Sequence, residues 1–285
     1  MTRPPDTPKA PMPLTRTCHG ALLALALGAL AAPAARADQP LWEVGLGAGL
    51  MQLPHYRGSN ESSRWVLPVP FVVYRGDILR ADRNGARAVL YDGSRVDVDL
   101  SFAASAPARS KDDIARSGMS DLAPTIEIGP RVNVRLHQGS GYKVDLRLPV
   151  RKVITLESSP RDIGWSATPV VNVDTRVGDF PLGMQIGPIW GDRRLHAYFY
   201  DVPALAATTT RPAYAASGGY AGWQATLGSA RRYDQLWVGA FLRADSLAGA
   251  AFEASPLVRT RHNIAFGLAF AWVFAQSSER VDDRR

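Results

Sequence analysis

Between Ile126 and Val150 the chain writes two strands whose faces are opposite in character. Ile126, Ile128, Val132, Val134 and Leu136 alternate with Glu127, Arg131, Asn133 and Arg135. Beyond the Gln138-Gly139-Ser140-Gly141 turn, Val144, Leu146, Leu148 and Val150 alternate with Lys143, Asp145, Arg147 and Arg151. Period-two alternation defines a sheet with one apolar face. Strands of soluble sandwiches span about 5–6 residues, whereas a tilted outer-membrane strand needs roughly 9–11; both stretches reach the longer class. Their polar face interleaves both signs of charge, as suits a wet barrel lumen. A one-residue slip would turn the arginines toward lipid at about 2–4 kcal/mol each near the midplane, so the facing is strongly determined. On these strands alone, a soluble sheet with one solvated face stays open as the alternative.

The pattern recurs along the whole chain. Candidate strands cover 41–53, 65–74, 78–91, 95–105, 125–137, 142–156, 163–177, 182–190, 219–228, 235–245 and 262–274. That count is odd, and bacterial barrels close with an even number. The 78–91 stretch, broken at Asn84-Gly85, is the place where two strands are fused. The expected fold is therefore all-β: a transmembrane antiparallel up-and-down β-barrel of about twelve strands, with ten as the alternative. Longer polar segments at 55–63, 106–123, 192–217 and 248–256 read as loops facing outside the cell, and the tight turns as periplasmic. Pro68, Pro70, Pro130, Pro149 and Pro169 fall inside strands, which predicts bulges or breaks there. In the last strand Ile264, Phe266, Leu268, Phe270, Trp272 and Phe274 share one face, with Ala265, Gly267, Ala269 and Ala271 opposite.

The amino terminus points to export. An apolar run over 21–32 follows Arg16 and precedes Ala35-Arg36-Ala37, so a signal peptide over 1–37 cleaved after Ala37 is expected, with Met12 as an alternative start. A single barrel domain over 38–274 and a polar tail over 275–285 complete the domain plan. Cys18, the lone cysteine, leaves with the leader, which excludes disulfide and thiolate chemistry. Cleavage also reduces the net charge from +7 to +4, and no basic block with interleaved aromatics argues for nucleic acid.

No chemical motif rises above this architecture. His55, His137, His196 and His262 are scattered, without metal-ligand spacing. Gly45-Leu46-Gly47-Ala48-Gly49 lacks the strand-to-helix context of a nucleotide loop and reads as close packing between barrel strands. No catalytic, cofactor-binding or metal residue is assigned. For a rim enzyme only Asp201 with His196, or Asp245 with His262, comes to hand, and spacing favours neither. Trp65, Tyr74, Trp190, Tyr233 and Trp272 lie near strand ends, as interfacial girdles require. In the 126–150 hairpin, a register placing Arg135 opposite Asp145 is preferred over one placing Arg135 against Lys143, because like charges across a ladder repel.

Leu53-Pro54-His55-Tyr56-Arg57-Gly58-Ser59, then Leu67-Pro68-Val69-Pro70 and Tyr74-Arg75-Gly76-Asp77, resemble elements of the MipA/OmpV family. Tyr198-Phe199-Tyr200-Asp201-Val202 is similar to its aromatic-rich element, with Asp201 where glycine is usual, and Ser255-Pro256-Leu257-Val258 to its Ser-Pro element. The resemblance implies a barrel in the outer membrane of a Gram-negative bacterium, embedded in outer-membrane lipid. The family's namesake is a scaffold for a murein lytic transglycosylase and a bifunctional murein synthase; other members are surface proteins or adhesins. A non-enzymatic scaffold is the leading expectation. A small-solute channel or surface adhesin comes next, then a barrel-rim enzyme.

Overall fold

The computed structural model describes residues 39–82 and 85–281; the leader lies outside the described residues. Twelve strands form the wall: β1 (Trp42–Pro54), β2 (Ser62–Arg75), β3 (Leu79–Asp82), β4 (Gly85–Asp92), β5 (Val96–Ser105), β6 (Thr125–Gly139), β7 (Tyr142–Thr155), β8 (Asp162–Ala167 continued by Val170–Val177), β9 (Phe180–Gly191), β10 (Gly219–Tyr233), β11 (Leu236–Ser246) and β12 (His262–Gln276). The two parts of β8 keep one register against β7, with Val150 facing Ala167 and Arg147 facing Val170. Each strand pairs antiparallel with its sequence neighbours, and β12 returns to β1, closing the barrel. The 78–91 stretch is indeed two strands, parted before Gly85.

The facing is inside out. Leu268, Phe270 and Trp272 are 55%, 57% and 54% exposed, whereas Ala265 and Ala271 on the opposite face of the strand are fully buried. Arg131, Asp145 and Arg147 on the inner face are buried too. The 126–150 hairpin takes the expected register, with Arg135 opposite Asp145. The charges, however, do not pair across that rung. Asp145 binds Lys143 (2.9 Å) on its own strand, Arg131 reaches the other way to Asp99 (2.8 Å), and Arg135 donates to the Ser94 carbonyl (2.9 Å). Arg131 thus pairs with the residue facing it on β5, while Arg135 passes over Asp145 to a turn carbonyl, so register and ion pairing separate at that rung.

Of the bulges or breaks expected at prolines, one forms: β8 is interrupted at Thr168-Pro169. Register shifts lie at 89–91, 135–137, 153–154, 188–190 and 273–275, whereas Pro68, Pro70, Pro130 and Pro149 sit in unshifted register. Pro68 and Pro70 show why. The Arg75 N–H donates to the Leu41 carbonyl on the β1 side. Along an unshifted strand the even residues therefore direct their N–H away from β1. On that side β2 is paired only at Tyr74 and Arg75, to Ala81 and Arg80, because β3 is short. Among the described residues, β2 from 62 to 73 has an open edge there, and the two prolines remove donors from it, as edge-strand prolines do. The wall thus carries a notch between β2 and the end of β5.

Short turns cluster at one end with the two ends of the described segment, where Gln39–Pro40 pairs with Arg280–Val281. The segments 55–61, 106–124, 192–218 and 247–261 all emerge at the other. Outward aromatics ring both ends: Trp42, Tyr74, Tyr233 and Trp272 near the short turns, Trp165, Trp190 and Trp223 near the long loops. Trp65 does not join them; it alternates with exposed Arg64 and Val66 and belongs to the inner face. Leu268→Arg, in mid-β12, is expected to lower stability by about 2–4 kcal/mol. Urea unfolding in lipid vesicles measures it.

Candidate functional site

The long loops share a core of their own. Tyr56, Leu122, Tyr200, Val202, Leu247, Phe252 and Leu257 are buried together at that end of the barrel. Tyr200 stacks on Phe252 at 3.6 Å between ring centroids. Hydrogen bonds pin the loops to one another: Tyr56 Oη donates to the Leu257 carbonyl (2.8 Å), Tyr200 Oη to the Arg57 carbonyl (2.8 Å), and Ser255 Oγ to the Tyr200 carbonyl (2.7 Å). Arg116 spans the loops through the carbonyls of Phe199 and Ser120. Gly58 has φ +97°, and a Cβ there would press on Leu247, so the Tyr-x-Gly turn requires glycine. A short helix, α1 (Arg193–Tyr200), is capped by the Asp192 side chain on the Leu195 N–H. Three elements far apart in sequence, at 54–58, 198–202 and 255–258, thus build one cap.

Burial sets the protonation of the cap. It raises the pKa of Tyr56 and Tyr200, keeping both phenols as donors. It lowers that of His196, whose Nδ1 bonds the Ser217 carbonyl (2.7 Å) and whose ring meets Phe252 edge-on.

Beneath the cap the inner wall is laced with ion pairs and hydrogen bonds between neighbouring segments. Asp245 holds Arg57 (3.0 Å), Arg243 (3.2 Å) and Gln224 (3.0 Å). A cavity of about 1050 Å3 fills the half toward the short turns, around Glu43, Phe71, Asn172, Asp174, Arg232 and Trp237. No residue of the four long loops lines it.

The imagined Asp–His pairs take separate partners. Asp201 accepts from the Ala216 N–H (2.6 Å), Asp245 serves the arginines, and the His262 backbone N–H donates to Thr260 Oγ1. The cluster that does form was missed by spacing. His55 Nδ1 lies 3.0 Å from Asp113 Oδ2, and its Nε2 lies 3.0 Å from Ser63 Oγ. Ser59 Oγ donates to the same Asp113 oxygen (2.7 Å), and Glu61 accepts from the Ile114 N–H (2.8 Å). His55 and Asp113 stand 58 residues apart and meet only because two loops cross. The Lys111-Asp112-Asp113 run is a legible signal in retrospect, though it reads equally well as a solvated loop.

A closed barrel with a lipid-ready exterior, a charged lumen and one capped mouth defines a transmembrane β-barrel of the outer-membrane type. The family described as MltA-interacting protein MipA matches residues 46–274, and the chain belongs to it. Comparison with curated proteins finds no match. Among solved structures the chain is similar to the CymD monoaromatic hydrocarbon channel (TM-score 0.34, 10% identity, 83% of this chain and 89% of that one). It is also similar to outer membrane phospholipase A from Escherichia coli (TM-score 0.33, 9% identity, 82% and 94%). A third likeness is to Pseudomonas aeruginosa OccK2 in complex with glucuronate (TM-score 0.19, 10% identity, 72% and 65%).

Two outcomes test the cap. Phe252→Ala is expected to cost the loop core about 3–5 kcal/mol, read as faster proteolysis of the loops while heat-modifiable migration of the barrel persists. His196, lowered from its ordinary 6.5, is neutral in the folded cap, so the unfolded loops bind more protons in acid. Its contribution is full above the unfolded value and is lost as pH falls from there toward the folded one. Loop proteolysis is therefore expected to accelerate on acidification below pH 6.5, less so in His196→Gln.

Proposed function

We propose that this barrel is a non-enzymatic scaffold whose short-turn end, facing the periplasm, holds murein-degrading and murein-synthesising enzymes at the outer membrane. The observation that carries this reading is the cap. Long loops of outer-membrane barrels face outward, and here they pack on a core of their own above a charged lumen lined by pairs such as Arg57–Asp245 and Arg131–Asp99. A mouth covered by packed loops favours a platform over a through-pore. The family's description as MltA-interacting supports a periplasmic murein enzyme as the partner. The proposed partners are a lytic transglycosylase and a bifunctional synthase.

Pull-down from envelope extract with the purified barrel is expected to recover both enzyme types, and planar bilayers are expected to show no steady conductance. Recovery of neither enzyme counts against the scaffold. Stable conductance steps favour the channel reading, and attachment to surfaces through the cap favours the adhesin.

A further inference from the structure

We propose that His55, Glu61 and Asp113 form a binding site for one divalent transition-metal ion of the Zn2+ or Mn2+ class, at the outer rim of the barrel. The imidazole nitrogen and the two carboxylate oxygens all lie within 4.8 Å of one another. One imidazole with two carboxylates is a donor set suited to such an ion. Ligand bonds of about 2.0–2.2 Å place adjacent donors about 3 Å apart, and His55 Nδ1 already stands 3.0 Å from Asp113 Oδ2.

Charge argues for a cation. The side chains of His55 and Asp113 are only 5% and 1% exposed, and a second carboxylate, Glu61, sits beside them. Among the described residues no lysine or arginine forms an ion pair with Glu61 or Asp113; the Arg116 guanidinium acts on Asp113 from a distance, while its hydrogen bonds go to the carbonyls of Phe199 and Ser120. A cation between the two carboxylates would give both a direct charge partner.

Either tautomer of the imidazole satisfies the hydrogen bonds around it. In one, Ser63 donates to Nε2 and Nδ1–H to Asp113, the order of a Ser–His–Asp relay. In the other, Nε2–H donates to Ser63 Oγ and the Nδ1 lone pair faces the carboxylates, where an ion belongs. Metal-bound histidines ordinarily give their second N–H to such an acceptor. A relay needs one carboxylate; the second is what an ion needs. A cleft of about 270 Å3 at the rim, lined by Ser59, Asn60, Glu61 and Ser62, brings solvent to the Glu61 side of the cluster.

Position gives the ion a consequence. His55 and Glu61 lie in the loop before β2, and Asp113 in the loop after β5, so the ligands bridge the top of the notch between those strands. The ion would clasp the two edges of the wall that no ladder joins.

Calorimetric titration of the chelator-stripped full-length barrel in detergent tests the site. One Zn2+ or Mn2+ per chain is expected, at least tenfold weaker in Asp113→Asn and in Glu61→Gln, with heat-modifiable migration showing that each variant is folded. His55→Gln is expected to lose the ion as well. Three results overturn the proposal: no ion bound per chain, affinity unchanged in both His55→Gln and Glu61→Gln, or fluorophosphonate labelling of Ser63 that Ser63→Ala abolishes. The last would assign the imidazole to the relay.

Discussion

Every backbone polar group in a hydrocarbon layer needs a partner within the protein, and that one demand shapes this molecule. It forces the last strand back onto the first. The β12–β1 seam is tight: a Cβ at Gly45 or Gly47 would run into the carbonyls of Trp272 and Phe270. The glycine run that superficially suggests a phosphate loop is therefore the small-residue side of the closure. Where the ladder is not complete, on the open edge of β2, the sequence removes donors with Pro68 and Pro70 instead of satisfying them.

With the apolar face given to lipid, the interior has to cohere by other means. The lumen uses buried ion pairs, such as Arg131–Asp99 and Arg75–Glu43 (2.8 Å each). Pairs of this kind add little net stability over an apolar core, because desolvation offsets much of their attraction. What they do is make a register slip prohibitive, since a slip would carry them to the lipid side. Stability then rests on the ladder, and the charges select which ladder forms.

The strands were legible because their information is local. Alternation over a dozen residues reports which face is which, and the Asn84-Gly85 interruption marks a turn whatever lies elsewhere. The register of the 126–150 hairpin was readable for the same reason. Its ion pairs were not, since Arg131 and Arg135 choose partners on other strands and turns, at Asp99 and Ser94. A proline's cost depends on which side the missing N–H faces: the strand does break at Pro169, but Pro68 and Pro70 form no bulge, and seeing that needs the short β3 to be known. His55 with Asp113 depended on two loops crossing, and loop segments have no period to read.

The cap and the notch belong to one physical problem. Loops of 106–124 and 192–218 are too long to be held by the strands they join, so they need a core, and Tyr56, Tyr200 and Phe252 supply it. The same Leu53-to-Ser59 stretch that feeds this core also begins the strand with the open edge. A wall whose β2 edge lacks a neighbour over 62–73 can be held at its upper margin only by contacts between the flanking loops. Those contacts are Ser59 and His55 on Asp113 and Glu61 on Ile114. Anything that tightens or loosens that cluster acts on the one part of the barrel where the backbone ladder does not decide the outcome. The cluster of His55, Asp113 and Ser59 therefore sits where the wall most needs a contact other than the ladder.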